Sequence, residues 1–202
     1  MPRIQAATVA EHREQQRRAL LDAARAILGE TGRAPSVGAV AARAGLARTS
    51  VYQYFPSAEE LLAAVVADVF PHWARQVLDR VAAASSPGER VWAYVQANVA
   101  LFASSEQAVA GALTKVVEPH VLQGPMREFH ARLQGPLLSA LEDLGEPEPA
   151  EMAEHVDSLV HQASRPFGDL DAADRPAAEA VALARLRRLL GGYLQLDARP
   201  SD

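Results

Sequence analysis

The sequence predicts an all-α protein in which a three-helix N-terminal segment precedes a larger helical part. Apolar residues recur three and four positions apart along most of the 202-residue chain, which is the spacing of one helix face. Alanine is abundant and runs of Val, Ile and Thr are few, which favours helix over strand. The sequence shows no strand-like alternation, internal repeat or low-complexity block, so helices alone organise the predicted fold.

The composition limits the classes of protein to be considered. Hydrophobic residues make up 49% of the chain, which is enough for a sizeable core. No cysteine occurs, which excludes disulfides, thiol catalysis and thiolate metal sites and makes a cytoplasmic location the expectation. No apolar run is long enough for a membrane span, and the N-terminus lacks the apolar segment of a signal peptide. We therefore expect a soluble protein without a membrane partner.

Charge is divided unevenly along the chain, whose formal net charge is -5. Residues 1–56 contain eight arginines and four acidic residues, whereas the remainder contains 12 basic and 21 acidic residues. A basic segment ahead of an acidic body indicates two functional parts with different partners.

The first predicted helix begins at Glu11 and has one apolar face. The residues of that face are Leu20, Ala23, Ala24 and Ile27. The sequence GETGR ends this helix, and Gly32 suits the left-handed cap. Residues 1–10 show no periodicity, so we expect them to form a mobile tail.

Two short helices follow. Ser36 is the expected N-cap of the first short helix. Its apolar positions are Val37, Val40, Ala41 and Ala44. Gly45 can reverse the chain, because glycine adopts a positive φ at little cost. The second short helix is predicted from about Ala47 to Phe55, and Pro56 prevents its continuation.

The remaining sequence is also predicted to be helical. The motif SAEE is a capping box at Ser57 that begins a long helix, in which Pro71 is the expected kink. The motif SPGE begins the next helix with Ser86 as its cap. Later helices are predicted near 124–145, 149–167 and 174–196.

The short helix pair matches a helix-turn-helix motif, whose second helix enters the major groove of DNA. Val51 and Phe55 are four residues apart and are expected to face the inside of the pair. The outward face carries side chains of the kind that bind base edges or phosphates, namely Arg48, Thr49, Ser50 and Gln53. Tyr52 and Tyr54 would offer hydroxyls to phosphate oxygens. The alternative is a solvated helix face and two tyrosines that pack against the protein.

The stretch SVGAVAARAGLARTSVYQYFPSAEELLAAVV resembles the DNA-binding region of the TetR family of transcriptional repressors. The similarity includes the capped short helix, AARAGL, and VYQYF where the family typically has Leu-Tyr-x-His-Phe. With the preceding helix, it covers roughly residues 12–66. The resemblance implies that double-stranded operator DNA is the partner. It also implies phosphate contacts by Ser36, Tyr52 and Tyr54 and base contacts by Arg48, Thr49, Ser50 and Gln53.

The chain departs from the family pattern at three positions. Ala58 stands where the family often has a lysine near the phosphates, which removes one expected backbone contact. Ala47 stands where the family often has a serine, so the second short helix lacks a cap worth about 1 kcal/mol. Tyr54 stands where histidine is commoner, and its hydroxyl can still serve a phosphate.

The larger part contains no motif that fixes a ligand. Aromatic and flexible apolar side chains are the best candidates for lining a pocket, and they are Trp73, Trp92, Tyr94, Phe102, Met126 and Phe129. The alternative is that each belongs to an ordinary core. The sequence contains no recognisable nucleophile–base motif, phosphate-binding glycine loop or set of metal ligands. We therefore expect neither an enzyme nor a bound metal or cofactor.

The last two predicted helices carry broad apolar surfaces. One stripe consists of Val156, Leu159, Val160, Ala163 and Phe167. Another consists of Leu183, Leu186, Leu190 and Tyr193 or Leu194, with Val181 and Leu189 beside it. This breadth indicates burial on two sides, as in a four-helix dimer interface. The resemblance to the TetR family also implies dimerisation through these helices.

The sequence thus predicts a DNA-binding domain over residues 1–56 and a helical ligand-binding and dimerisation domain over residues 57–202. The predicted function is that of a homodimeric repressor, which binds a palindromic operator and is released by a small apolar or aromatic effector. One alternative is a constitutive DNA-binding activator or architectural protein without an effector. An alternative of another class is a small helical enzyme or carrier that merely contains a helix-turn-helix.

Overall fold

The computed structural model describes residues 3–104 and 106–196, with side chains from Val9 onward. Within those residues, the regular structure consists of α-helices and one 3₁₀ helix, Arg165–Asp169. The α-helices are α1 Arg3–Thr31, α2 Val37–Arg43, α3 Arg48–Val51, α4 Ala58–Ala83, α5 Pro87–Ala103, α6 Glu106–Val116, α7 Pro119–Leu144, α8 Pro149–Ser164 and α9 Arg175–Leu190. The predicted all-α class is confirmed for the described part of the chain.

Helix α1 begins earlier than the sequence pattern predicted. It starts at Arg3 rather than at Glu11, so residues 3–10 are its first turns. The mobility of this end of the helix stays a prediction. The run AATVAEHREQQRR contains neither Gly nor Pro, and most of its residues have good helix propensity. Residues 9–15 are exposed, and an exposed stretch of helix does not need apolar periodicity. The first two residues of the expected tail lie outside the described part of the chain.

Serine caps place several helix starts where the sequence predicted them. The Ser36 hydroxyl oxygen accepts a hydrogen bond from the backbone N–H of Ala39 at 3.1 Å. The Ser57 hydroxyl accepts one from the backbone N–H of Glu60, also at 3.1 Å. At the start of α5, Ser86 and Glu89 form a reciprocal capping box.

Gly45 forms the turn between α2 and α3. Its φ is 70°, a conformation that a residue with a side chain rarely adopts. Its N–H donates to the carbonyl of Ala42 at 3.2 Å, and the N–H of Leu46 donates to the carbonyl of Ala41 at 2.9 Å. This pair of bonds is a Schellman motif, which satisfies the last carbonyls of α2 and reverses the chain.

Helix α3 is shorter than the helix predicted from about Ala47 to Phe55. It contains four residues. Ala47 at the N-cap of α3 provides no side-chain hydrogen bond, as expected for alanine. The chain then continues in turns, in which the N–H groups of Tyr54 and Phe55 each donate to the carbonyl of Val51 at 2.9 Å. The recognition segment is therefore one helical turn followed by a tightly wound continuation.

The chain forms two compact units. The first comprises Met1–Val69 and Ala108–Pro125, and the second comprises Phe70–Gln107 and Met126–Asp202. The division falls within α4, next to Pro71. It does not coincide with the functional boundary predicted after Pro56, which stays a prediction.

In the first unit, α2 packs against α1 and α3. Completely buried apolar side chains form its core, including Leu20, Ala24, Leu28, Val40, Val51 and Leu61. The Arg18 guanidinium donates hydrogen bonds at 2.6 Å to both Asp22 and Asp68, and so links α1 to the first part of α4. The three-helix segment is thus a packed body that can hold α3 in a fixed orientation.

In the second unit, α5 is central and packs against α8 and α9, which also pack against each other. The buried residues of this core include Val91, Val95, Val99, Leu137, Leu141, Val156, Phe167 and Leu186. The first turn of α5 lies against the turn that follows α9. A Cβ atom added to Gly88 would lie 1.8 Å from the carbonyl oxygen of Leu194, so only glycine permits this approach.

The apolar residues of α9 and the turn after it face in two directions. Leu186, Leu190 and Leu194 are buried in the core of their own chain. Val181 and Leu189 are 50% and 67% exposed, so the same helix also presents two large apolar side chains to solvent. The exposed pair, rather than the buried stripe, is therefore available to another chain.

Among the described helices, none combines the length and the apolar character needed to cross a bilayer.

Candidate functional site

The surface around α3 has a buried side and a polar side. Val51 and Phe55 are buried, which confirms that they belong to the core. The side chains of Arg48, Thr49 and Gln53 are exposed on the polar side, and Ser50 is half-buried among them. The structure therefore brings the four predicted base-reading residues onto one short segment.

Arg43 at the end of α2 and Arg48 at the start of α3 differ in their partners. Arg43 forms two hydrogen bonds of 2.6 Å with the carboxylate of Glu30, which links the end of α2 to the end of α1. Within residues 3–104 and 106–196, Arg48 has no comparable ion pair. Arg43 is thus occupied within the protein, whereas the guanidinium of Arg48 can donate to an external acceptor.

The predicted phosphate-binding residues occupy three different environments. Ser36 is exposed and caps α2, and its hydroxyl proton can still be donated to an outside oxygen. The Tyr52 side chain is 44% exposed, which suits a contact with a phosphate backbone. Tyr54 is half-buried, and its hydroxyl donates a hydrogen bond of 2.5 Å to the side-chain oxygen of Gln16.

Side chains of helix α1 contact Tyr54 and the neighbouring Phe55. The guanidinium carbon of Arg13 lies 5.8 Å from the centroid of the Tyr54 ring, and Arg17 lies 5.9 Å from that of the neighbouring Phe55. The contact between Tyr54 and Gln16 was not predicted, because the two residues are 38 positions apart in the sequence. Tyr54 therefore anchors the recognition segment to α1, and a phosphate would have to compete with Gln16 for its proton.

A second candidate site is a cavity of about 390 Å³ in the second unit. Residues of α5, α7 and α8 line it, namely Tyr94, Asn98, Phe102, Phe129, His130, Leu133, Gln134, Asp157, Val160 and His161. Its volume lies within the range of small-molecule sites, about 300–1,000 Å³. The most buried lining residues form its floor, and the exposed His130, Gln134 and His161 form its rim.

The structure brings three of the six predicted pocket residues to this cavity, namely Tyr94, Phe102 and Phe129. The Trp73 ring instead packs against Phe70 and Phe129, with its centroid 5.4 and 6.4 Å from theirs, and its indole N–H donates to Glu106 at 2.7 Å. Trp92 is a buried residue against the guanidinium of Arg187, and Met126 lies at the surface. Neither of these two lines the cavity.

The polar lining residues other than Tyr94 were missed by sequence reasoning, which selected pocket residues among aromatic and flexible apolar side chains. Asn98 follows Tyr94 by four positions on α5, and His161 follows Asp157 by four on α8. Residues at this spacing share one face of a helix, so these pairs were detectable in principle. The sequence did not show that the two faces meet.

The polar centre of the cavity is the pair Tyr94 and Asp157. The Tyr94 hydroxyl donates a hydrogen bond of 2.6 Å to the Asp157 carboxylate. Burial raises the pKa of Asp157 above its usual range, although the hydrogen bond from Tyr94 and the field of His130 oppose this shift. Burial and the adjacent carboxylate also raise the pKa of Tyr94, which keeps the phenol protonated.

Two histidines and one aspartate line the same cavity, which raises the question of a metal. Among the described residues, no group of three or more His, Asp or Glu side chains is arranged to hold a metal ion. The arrangement instead offers one carboxylate, aromatic rings and two amides, which is suited to an organic ligand.

Comparison with known families identifies the N-terminal part. Residues 20–65 match the model of the family described as bacterial regulatory proteins, tetR family. The match includes the whole of α2, the Gly45 turn and α3. Residues 20–65 are thus similar to the DNA-binding region of that family of transcription regulators, and they contain this chain's helix-turn-helix.

Solved structures of TetR-family regulators share the fold of this chain. One from Streptomyces coelicolor has a TM-score of 0.65 at 15% identity, covering 87% of this chain and 95% of that one. NemR from E. coli in its reduced form has a TM-score of 0.64 at 17% identity, covering 86% and 96%. A TetR/AcrR-family regulator from Thermobifida fusca has a TM-score of 0.63 at 19% identity, covering 84% and 97%. No curated protein matches the sequence.

Proposed function

We propose that this chain is a homodimeric TetR-family repressor, which binds a palindromic operator through α3 and is released by a small effector held in the second unit. The observation that carries the proposal is the exposed polar face of α3, which includes an Arg48 side chain available to DNA within the family's DNA-binding segment. Guanidinium groups bind the O6 and N7 atoms of guanine in pairs of hydrogen bonds. We assign base reading to Arg48, Thr49, Ser50 and Gln53.

Phosphate contacts would hold α3 in register without selecting the sequence. We assign them to Ser36 and Tyr52, whose side chains are exposed beside α3. Tyr54 contributes a weaker contact, because its hydroxyl already donates to Gln16. Its larger role is to fix the recognition segment against α1.

The homodimer is supported by the outward face of α9. Val181 and Leu189 expose large apolar side chains on that face, and their burial by a second copy would remove this surface from water. In a dimer with two-fold symmetry, the same patch meets its own copy. The two recognition helices would then lie in successive major grooves, about 34–36 Å apart.

Release by an effector is supported by the position of Phe129. Its ring lines the cavity and also packs against Phe70 at a centroid distance of 5.8 Å and against Trp73 at 6.4 Å. Both of these residues belong to α4 and lie close to Pro71. This helix begins at Ala58, two residues after the recognition segment ends at Phe55 with Pro56 and Ser57 between them. An effector that displaces Phe129 would therefore act on the helix that follows the recognition segment in the chain. A coupling of about 1–3 kcal/mol is typical of such switches.

Selection of bound duplexes from random DNA tests the proposal. We expect inverted repeats whose half-site centres are about ten base pairs, or a multiple of that spacing, apart. Enrichment of a single asymmetric site would reject the homodimeric operator. Enrichment of no sequence would reject specific recognition altogether. A palindrome bound with the same affinity whatever compound fills the cavity would favour a constitutive DNA-binding protein.

A further inference from the structure

We propose that the cavity binds an organic cation, an amine or quaternary ammonium on an aromatic or branched aliphatic group, with Asp157 as its counter-ion. The inference rests on the proposed function in one respect, because it names the class of effector for the same cavity. It adds a positive charge to the apolar or aromatic effector expected from the sequence.

The Asp157 carboxylate has one hydrogen-bond partner among the described residues. One oxygen accepts the hydrogen bond of 2.6 Å from the Tyr94 hydroxyl. Among the described residues, this is the only hydrogen bond to that carboxylate, and no Arg or Lys forms an ion pair with it. Its second oxygen is therefore available to a cation inside the cavity.

The wall around this carboxylate contains aromatic and apolar side chains. Three aromatic rings line the cavity, those of Tyr94, Phe102 and Phe129. Aromatic faces attract ammonium groups through the quadrupole of the ring, most strongly where water is excluded. The floor of Leu133 and Val160 is buried and offers an apolar surface to the rest of the ligand. A carboxylate among aromatic rings is thus complementary to a cation with an apolar body.

A partly buried carboxylate without a counter-ion carries a free-energy penalty. Burial raises the pKa of Asp157, which means that the surroundings disfavour its charged form. A cation offsets that penalty, a neutral ligand does not, and an anion adds repulsion. The histidines do not replace the cation. The field of His130 only partly opposes the effect of burial on Asp157, and among the described residues neither His130 nor His161 forms an ion pair with its carboxylate.

The volume sets the size of a suitable probe. A cavity of about 390 Å³ admits a single substituted benzene ring. We choose (4-hydroxyphenyl)trimethylammonium and 4-tert-butylphenol, which have the same shape and differ only in whether the central atom of the branched group is a charged nitrogen or a carbon. The anion 4-tert-butylbenzoate completes the series.

Isothermal titration of the full-length protein with the three probes tests the inference. We expect the cation to bind about ten- to hundredfold more tightly than the neutral probe, since charge-assisted contacts are worth that factor. Asp157→Asn keeps an oxygen acceptor for Tyr94 and should abolish the preference, with the affinity for 4-tert-butylphenol unchanged within about twofold. Glu154→Gln removes an exposed carboxylate from the same helix and should leave the preference intact. Phe102→Leu should weaken the cation more than the neutral probe.

Several outcomes would overturn the inference. They are tighter binding of the neutral probe or the anion, an Asp157→Asn preference equal to that of the wild type, and no binding of any probe. Should Asp157→Asn fail to fold, the comparison of probes on the wild type and on Phe102→Leu still decides.

Operator binding separates this inference from the proposed function. If the cation binds with the expected dependence on Asp157 but leaves operator affinity unchanged, the organic-cation site is supported and release of the operator by this effector is rejected. If an uncharged compound occupies the cavity and releases the operator whereas the cation does not bind, the proposed repressor function is supported and the organic-cation site is rejected.

Discussion

The contact between Gly88 and Leu194 provides a sharp test of the packing that supports the second unit. Gly88→Ala would place a Cβ atom 1.8 Å from a backbone carbonyl oxygen, whereas Cβ contacts below 3.0 Å are essentially never found. The first turn of α5 and the turn after α9 would have to separate by about 1.2 Å. Because both partners are backbone, no side chain can rotate to make room.

The expected magnitude follows from this displacement. Overpacking in a filled interior costs about 1–3 kcal/mol, and a clash between backbones belongs at the upper end, about 3 kcal/mol. For a chain of this size, that loss of stability lowers the midpoint of thermal unfolding by roughly 6–12 °C. Urea denaturation at a fixed protein concentration measures the same quantity. The concentration is fixed because the proposed dimerisation would contribute to apparent stability.

Gly111→Ala is the matched control. Gly111 lies inside α6, it does not precede a proline, and a Cβ atom there would meet no atom within 4 Å beyond its chain neighbours and its own helix backbone. The same chemical change should therefore stabilise the protein by about 0.5–1 kcal/mol, through helix propensity alone. If the Gly88 variant unfolds within about 0.5 kcal/mol of the wild type, the described packing of α5 against the chain after α9 is wrong.

Three further predictions concern function. Arg48→Ala should weaken specific operator binding by about 1–3 kcal/mol and relax the sequence preference at one base position. Arg43→Ala, the control, should leave the selected sequence unchanged. Equal losses of affinity for operator and random duplexes would contradict base reading by Arg48. Leu189→Glu should dissociate the dimer at micromolar concentration in sedimentation, with the helical content retained, and an unchanged dimer would move the interface elsewhere. Gly45→Val should abolish operator binding while the second unit stays folded, because a β-branched residue tolerates a φ of 70° poorly.

The DNA-binding segment was predictable because its determinants are local. Ser36 caps its helix through a residue three positions away, and Gly45 sets a turn by its own backbone freedom. Both signals are carried by a few consecutive residues, so one sequence is enough to read them. The start of α1 was missed because its first turns carry no apolar periodicity in the sequence.

The cavity was harder to predict because it depends on which helix faces meet. Trp73, Trp92 and Phe129 are alike as apolar aromatic residues, but only the last lines the cavity. Asp157 was not predicted as a pocket residue, because a single aspartate on a helix is ordinarily solvated. Its significance comes from Tyr94, 63 residues earlier in the chain, and distant pairing of this kind is a property of the packed structure.

The central claim is that α3 reads a specific DNA sequence in the context of a two-fold dimer. The most direct measurement is a titration of the selected inverted repeat, and of the same duplex with one half-site scrambled, at several salt concentrations. We predict two chains per intact repeat, a linear fall of log K with log salt, and a large loss of affinity when one half-site is scrambled. Equal affinity for the intact and scrambled duplexes would contradict the account.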